Sequence, residues 1–183
     1  PFPVATDRFT PVEPHDGPAR LLHVEGRRAL ADRNGTLALI AAVAHLRERC
    51  SLRVVTQEPD LPARVRHPAH VSVEVVTGGV ASPADLYRDA DVLVLPRRYG
   101  GLCLPTQEAM ARGMAVVMPS CSPNPQTWPV VPVECQPGPA VQTAAGPVET
   151  WDTHPEALAA VMDSLADPVV RHRAQASARS WAA

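Results

Sequence analysis

The run Asp91-Val92-Leu93-Val94-Leu95-Pro96 is apolar at every position from Val92 to Leu95, so any fold that contains it as a strand must cover it from two sides. Ala115-Val116-Val117-Met118-Pro119 repeats the pattern further along, and Pro105 to Arg112 between them reads as a helix. Two doubly buried strands joined by a helix form a parallel pair with a crossover, the unit of layered α/β folds. Leu21-Leu22-His23-Val24 supplies another strand, ending at Gly26. A polar loop follows, then Leu37, Ile40, Ala41 and Ala44 at helical spacing, with Asn34 or Thr36 as the expected cap.

Leu52-Arg53-Val54-Val55 and Val71-Ser72-Val73-Glu74-Val75-Val76 are β-branched runs between turn residues and read as strands. The proline-bearing stretch between them reads as loop or one short helix. Ser82-Pro83-Ala84-Asp85 opens a helix, with a capping serine, proline in the first helical position and an acid three residues after the cap. From Ser120 to Pro147 the chain is rich in proline and small residues, which predicts a long connection with one strand at Val130 to Val133. Thr153-His154-Pro155-Glu156 opens a capped helix to about Leu165, and Asp167-Pro168 opens a last one through Ala174 and Ala178.

The predicted architecture is a Rossmann-like parallel sheet with flanking helices and a helical C-terminal tail. Residues 1–19 read as a linker segment, 20–167 as the α/β domain and 168–183 as the final helix. The chain opens Pro1-Phe2-Pro3-Val4 and stops within a helical pattern, which reads as part of a longer protein.

An apolar content of 45% over 183 residues is enough for a core without a metal or a disulfide. The formal net charge of -2 argues against a surface that neutralises a nucleic-acid backbone. All 17 basic residues are arginine. Cys50, Cys103, Cys121 and Cys135 show no CxxC spacing, and the histidines are scattered without ligand spacing, so neither a metal site nor a disulfide framework is expected. No apolar run approaches the roughly 20 residues of a membrane span, and no signal peptide is visible. Together these predict a reduced, cytoplasmic domain. His23, inside an apolar strand, reads as a satisfied core residue.

Open parallel sheets bind ligands at the carboxyl ends of their strands, where loops lead into helix N-termini. Two such loops stand out. The first, Gly26-Arg27-Arg28-Ala29-Leu30-Ala31-Asp32-Arg33-Asn34-Gly35, offers Arg27, Arg28 and Arg33 as grips for phosphate. The second runs from Arg97-Arg98-Tyr99-Gly100-Gly101-Leu102-Cys103-Leu104 into a helix whose first turn is expected to carry Glu108. Arg97 and Arg98 stand at its strand end, facing the expected cleft.

These segments resemble the group 1 (family 4) retaining glycosyltransferases, which have the GT-B fold of two facing Rossmann-like domains. Asp89 to Pro96 and Leu104 to Val117 are similar to the family's most characteristic segment, and Phe2 to Phe9 looks like its interdomain strand. The resemblance covers nearly the whole chain. It implies that this is the C-terminal half, which binds a UDP-, GDP- or ADP-type sugar donor, with no metal and no other cofactor. An acceptor-binding domain, absent here, and an unknown acceptor complete the implied set of partners.

Glu108 matches the second glutamate of the family's pair, which accepts hydrogen bonds from the ribose hydroxyls. Gly100 stands where the first glutamate would be, and Gly101-Leu102-Cys103, followed by Leu104, replaces the usual glycine-phenylalanine-glycine while still offering backbone N–H groups to the donor. Arg33-Asn34-Gly35 stands where lysine-glycine is usual, in a slightly longer loop, and Pro119-Ser120-Cys121-Ser122-Pro123-Asn124 replaces a glycine-rich loop.

The resemblance implies retention of anomeric configuration, with the departing phosphate helping to deprotonate the acceptor. It assigns no catalytic side chain in this chain. Departure from the pair leaves two further readings open, a non-catalytic nucleotide-sugar-binding or scaffolding module and a nucleotide-sugar epimerase of the same fold. A dinucleotide-dependent oxidoreductase is disfavoured, because Gly26 is followed by arginines and not by a GxGxxG pattern.

Overall fold

The computed structural model describes residues 9–26, 31–121 and 127–182. Arg27, Arg28, most of the expected interdomain strand and residues 122–126 lie outside the described residues. A six-stranded parallel sheet forms the centre, built from β1 (Ala19–Gly26), β2 (Cys50–Thr56), β3 (Val71–Thr77), β4 (Val92–Val94), β5 (Ala115–Pro119) and β6 (Val131–Val133), in the order β3-β2-β1-β4-β5-β6. The order reverses between β1 and β4, which is where an open α/β sheet leaves a crevice at its carboxyl edge.

Side-chain alternation along the strands feeds two separate cores. Leu21, Val92, Val94 and Val117 point to one face, with α1 (Thr36–Val43) and α4 (Pro155–Ser164) packed over it. Leu22, Leu93, Leu95, Val116 and Met118 point to the other, which is covered by α2 (Pro83–Leu86), α3 (Leu104–Ala111) and α5 (Pro168–Ala182). A short 3-10 turn, Leu61–Arg64, occupies the proline-bearing stretch between β2 and β3.

Three local readings need correction. The N-terminus of α1 is not capped by Asn34 or Thr36; Gly35 holds the cap position at φ 72, and the Asp32 carboxylate accepts from the N–H groups of Thr36 and Leu37 at 2.9 Å each. Asn34 instead donates to the carbonyls of Val24 and Glu25. Helix α4 has His154 at its cap position with no side-chain cap bond. The stretch read as a loose connection contains, besides β6, an antiparallel hairpin of β7 (Cys135–Thr143) and β8 (Gly146–Thr153).

The hairpin tolerates Pro137, Pro139 and Pro147 because a two-stranded ribbon leaves one edge of each strand free of ladder bonds. Its turn is closed by Thr143, whose hydroxyl donates to the Gly146 carbonyl at 2.7 Å, and by Gly146 at φ 116.

Helix α5 is anchored by Arg171, whose fully buried guanidinium donates to the carbonyls of Leu165, Ala166, His15 and Gly17. No described helix is long and apolar enough to cross a membrane.

His23 is buried as expected. Its Nδ1 lies 2.8 Å from the Val94 carbonyl and its Nε2 2.8 Å from the Thr36 hydroxyl. The carbonyl only accepts, so Nδ1 carries the proton; burial favours the neutral ring, in which Nε2 accepts from the Thr36 hydroxyl. Burial lowers its pKa below 6.5. The folded state therefore resists protonation that the unfolded chain accepts, and His23 contributes stability above pH 6.5 that is lost as pH falls from there toward the folded pKa. NMR titration should place protonation of the His23 ring below the ordinary 6.5, with the urea midpoint falling as pH drops from there. A ring that titrates at 6.5 would refute this.

Candidate functional site

At the carboxyl edge, the two loops predicted to bind ligand are joined to each other. The Arg98 N–H donates to the Arg33 carbonyl at 2.9 Å, and the Gly35 backbone lies directly against the Pro96 carbonyl. Ala31 and Asp32 take left-handed conformations, at φ 51 and 52, where β-carbons are disfavoured. These strained residues bring Asp32 onto the α1 terminus, so the first two free amides of that helix already face a carboxylate.

Arg33 is exposed, and the stem of its side chain passes close to Gly100. Arg97 approaches Gly100 from below. It is only 4% exposed, and its guanidinium donates to the carbonyls of Tyr99 at 3.0 Å and Leu102 at 3.4 Å. Gly100 adopts φ +112, and a β-carbon there would stand 2.4 Å from Arg97 Nη2 and 3.4 Å from Arg33 Cδ. Two cationic side chains thus converge on a turn that excludes a side chain of its own. Gly101 is exposed, and so are Leu102 and Leu104, whereas Cys103 is buried and its sulfur accepts from the Thr106 hydroxyl.

Arg98 does not face an open cleft. Its Nε donates to Asp152 at 2.7 Å and its Nη1 to the Ala31 carbonyl, while its own carbonyl accepts from the Trp151 N–H at 2.9 Å. It ties the β7-β8 hairpin to both loops, a role that depends on partners far away in the chain and has no local sequence signal.

Glu108 lies in the second turn of α3, not the first, because the helix begins at Leu104. The helix dipole therefore does not account for it. The residue is half-buried, and its Oε2 accepts a 2.6 Å hydrogen bond from the Tyr87 hydroxyl. Tyr87 was not singled out in the sequence. It closes the single turn of α2, where the Ser82 side chain accepts from the Asp85 N–H as the capping pattern predicts. Its ring is fully buried against Phe9 in an edge-on arrangement, with centroids 5.9 Å apart.

A second residue the sequence reading passed over is Glu25. A bulge in the pairing of β1 with β2 falls at this position, and the nearly buried carboxylate accepts from the Thr56 hydroxyl at the ends of both strands. Among the described residues no group of three histidine, cysteine, aspartate or glutamate side chains is arranged to hold a metal. A concave surface lined by His45, Arg47, Glu48, Glu156 and Asp163 lies at the opposite end of α1, away from both loops. There the Asp163 carboxylate is already occupied by the N–H groups of Arg47 and Glu48.

The sheet order, the two joined loops and α3 are the features by which the fold can be compared with known proteins. The sequence profile of the group 1 glycosyl transferases matches residues 20–165. The chain belongs to this family. No protein with a curated description matches it in sequence.

Among solved structures it is similar to the C-terminal domain of a group 1 glycosyl transferase, LpcC, from Francisella tularensis, at 18% identity and a TM-score of 0.64. That match spans 97% of this chain and 95% of that domain. It is also similar to a sucrose-phosphate synthase from Thermosynechococcus elongatus, at 20% identity and a TM-score of 0.67, over 97% of this chain and 45% of that one. A third match is WaaG, a glycosyltransferase involved in lipopolysaccharide biosynthesis, at 20% identity and a TM-score of 0.64, over 90% of this chain and 42% of that one. This glycosyltransferase domain thus has the fold of a GT-B C-terminal half and spans less than half the length of the sucrose-phosphate synthase and WaaG chains.

Proposed function

We propose that this glycosyltransferase domain binds a nucleoside diphosphate sugar and presents it for retaining transfer to an acceptor held by a preceding domain. The reading is carried by the convergence of Arg33 and Arg97 on Gly100, on the loop that opens the helix bearing Glu108.

Each residue has a role matched to its chemistry. Glu108 accepts from the ribose hydroxyls, since a carboxylate offers two acceptor oxygens. Arg33, with Arg27 and Arg28 from the same loop, neutralises the diphosphate, and Arg97 adds positive potential from beneath the Gly100 turn. The backbone N–H groups of Gly101, Leu102, Cys103 and Leu104 orient dipoles toward the leaving group. Such preorganised charge is commonly the largest contribution to catalysis of this type, because the departing diphosphate gains negative charge in the transition state. No metal takes part in this scheme, and the free cysteines suit a reducing, cytoplasmic setting.

Calorimetric titration with UDP, GDP, ADP and their glucose conjugates tests the reading. Saturable binding of one diphosphate is expected, weakened about 10- to 100-fold in Glu108→Ala and about 10-fold in Arg33→Ala, as loss of a charge-assisted hydrogen bond predicts. A folded sample that binds none of them would overturn the donor-site assignment and favour a non-catalytic module.

A further inference from the structure

The contact between Tyr87 and Glu108 joins the end of α2 to α3, two elements on the same face of the sheet. Tyr87 precedes β4 and Glu108 follows it, so the bond spans the strand that leads to the Gly100 loop. A glutamate on a helix surface has three rotatable bonds, and holding its carboxylate in one place for a ligand costs conformational entropy at the moment of binding. The phenol removes that freedom in advance. Its ring is fully buried and packed edge-on against Phe9, so the hydroxyl is delivered from a fixed point.

The chemistry of the pair is directional. The phenol donates, and the bond engages Oε2 of Glu108. Among the described residues no donor engages Oε1, which keeps its lone pairs available. Burial, reinforced by the bond to Glu108, pushes the Tyr87 pKa well above its ordinary value, so the donor stays protonated across the whole working range. Among the described residues, Tyr87 is the side chain that hydrogen-bonds the Glu108 carboxylate.

We propose that Tyr87 is a positioning residue that fixes the Glu108 carboxylate as an acceptor for the ribose diol, so that preference for a ribonucleotide over a deoxyribonucleotide donor resides in the Tyr87–Glu108 pair. The proposal rests on the donor-site reading above and goes beyond it by naming a residue and the selectivity it controls. A purely structural Tyr87 would affect ribose and deoxyribose ligands alike. A positioning Tyr87 acts only on ligands that carry the hydroxyl.

The test is a set of titrations of the wild type, Tyr87→Phe, Glu108→Ala and the double variant with the preferred nucleoside diphosphate and with its 2′-deoxy and 3′-deoxy analogues. Phenylalanine keeps the buried ring and its contact with Phe9, and circular dichroism checks the fold. The wild type should prefer the ribose form by about 10-fold or more. Tyr87→Phe should bind the ribose form about 5- to 10-fold more weakly and leave at least one deoxy analogue within about 2-fold of wild type, so the preference collapses. In the Glu108→Ala background the same change should add nothing, because the two residues act as one unit.

Full ribose preference in a folded Tyr87→Phe variant, or equal weakening for all three ligands, overturns the positioning role while leaving the donor site intact. A wild type without ribose preference, or a Glu108→Ala variant that binds unchanged, overturns the ribose role of Glu108 and this proposal with it, whereas a folded wild type that binds no nucleoside diphosphate overturns the donor-site reading itself.

Discussion

A Gly35→Ala variant is expected to lose about 3 kcal/mol or more of unfolding free energy and to lose donor binding with it. Gly35 holds φ +72, where a β-carbon costs about 1 kcal/mol by itself. The larger loss comes from its surroundings. A β-carbon there would stand 1.9 Å from the Pro96 carbonyl oxygen and 2.8 Å from its carbon, and these are backbone atoms that cannot rotate away. Relief requires separating the Asp32–Gly35 loop from the Pro96 segment that follows β4, which breaks the bond from the Arg98 N–H to the Arg33 carbonyl and moves Asp32 from the α1 terminus.

Gly26→Ala is the control. Its φ is similar, at +64, but no described atom lies within 4 Å of the added carbon, so about 1 kcal/mol is expected. Urea denaturation of both variants decides the matter. Equal losses would show that the approach to Pro96 carries no weight.

Asp91→Ala should cost about 3 kcal/mol, the second large effect. The side chain is fully buried and receives four hydrogen bonds. Arg20 gives its Nε at 3.0 Å, its Nη2 at 2.6 Å and its backbone N–H at 3.0 Å, and His15 adds one at 2.8 Å. Burial alone would push the Asp91 carboxyl up, but the bonds from Arg20 and His15 outweigh it and hold the pKa below its ordinary value. An acid whose folded pKa is depressed contributes stability that is present above its unfolded value, near 3.9, and is lost as pH falls through the folded one. The wild type should therefore lose stability faster than Asp91→Ala as pH drops below about 4. Parallel acid limbs for the two proteins would refute this account.

Much of the architecture is readable in order along the chain. The doubly apolar runs at residues 92–95 and 115–119 can only be central strands, and the capping serine at Ser82 places α2 correctly because its bond to Asp85 closes within one turn. The hairpin escaped notice for the opposite reason. Its strands, with their three prolines, carry little apolar alternation, and what holds them is mutual pairing and the tie through Arg98.

The site divides along the same line. Glu108, Gly100 and Arg33 stand out in the sequence because their neighbours form a recognisable pattern. Tyr87, Glu25 and the true cap, Asp32, do not, since each gains its role from a partner in another element or from an unusual backbone angle.

The sequence by itself determined the sheet, its helical crossovers and the family, because apolar periodicity and short motifs are properties of neighbours along the chain. Only the tertiary structure decided how Arg33, Arg97 and Arg98 are used. Arg33 lies in the open, Arg97 is buried beneath Gly100, and Arg98 is consumed by the hairpin. The same side chain is a ligand grip or a structural clamp according to which carbonyls and carboxylates the fold brings within 3 Å of it, and no local pattern encodes that distance.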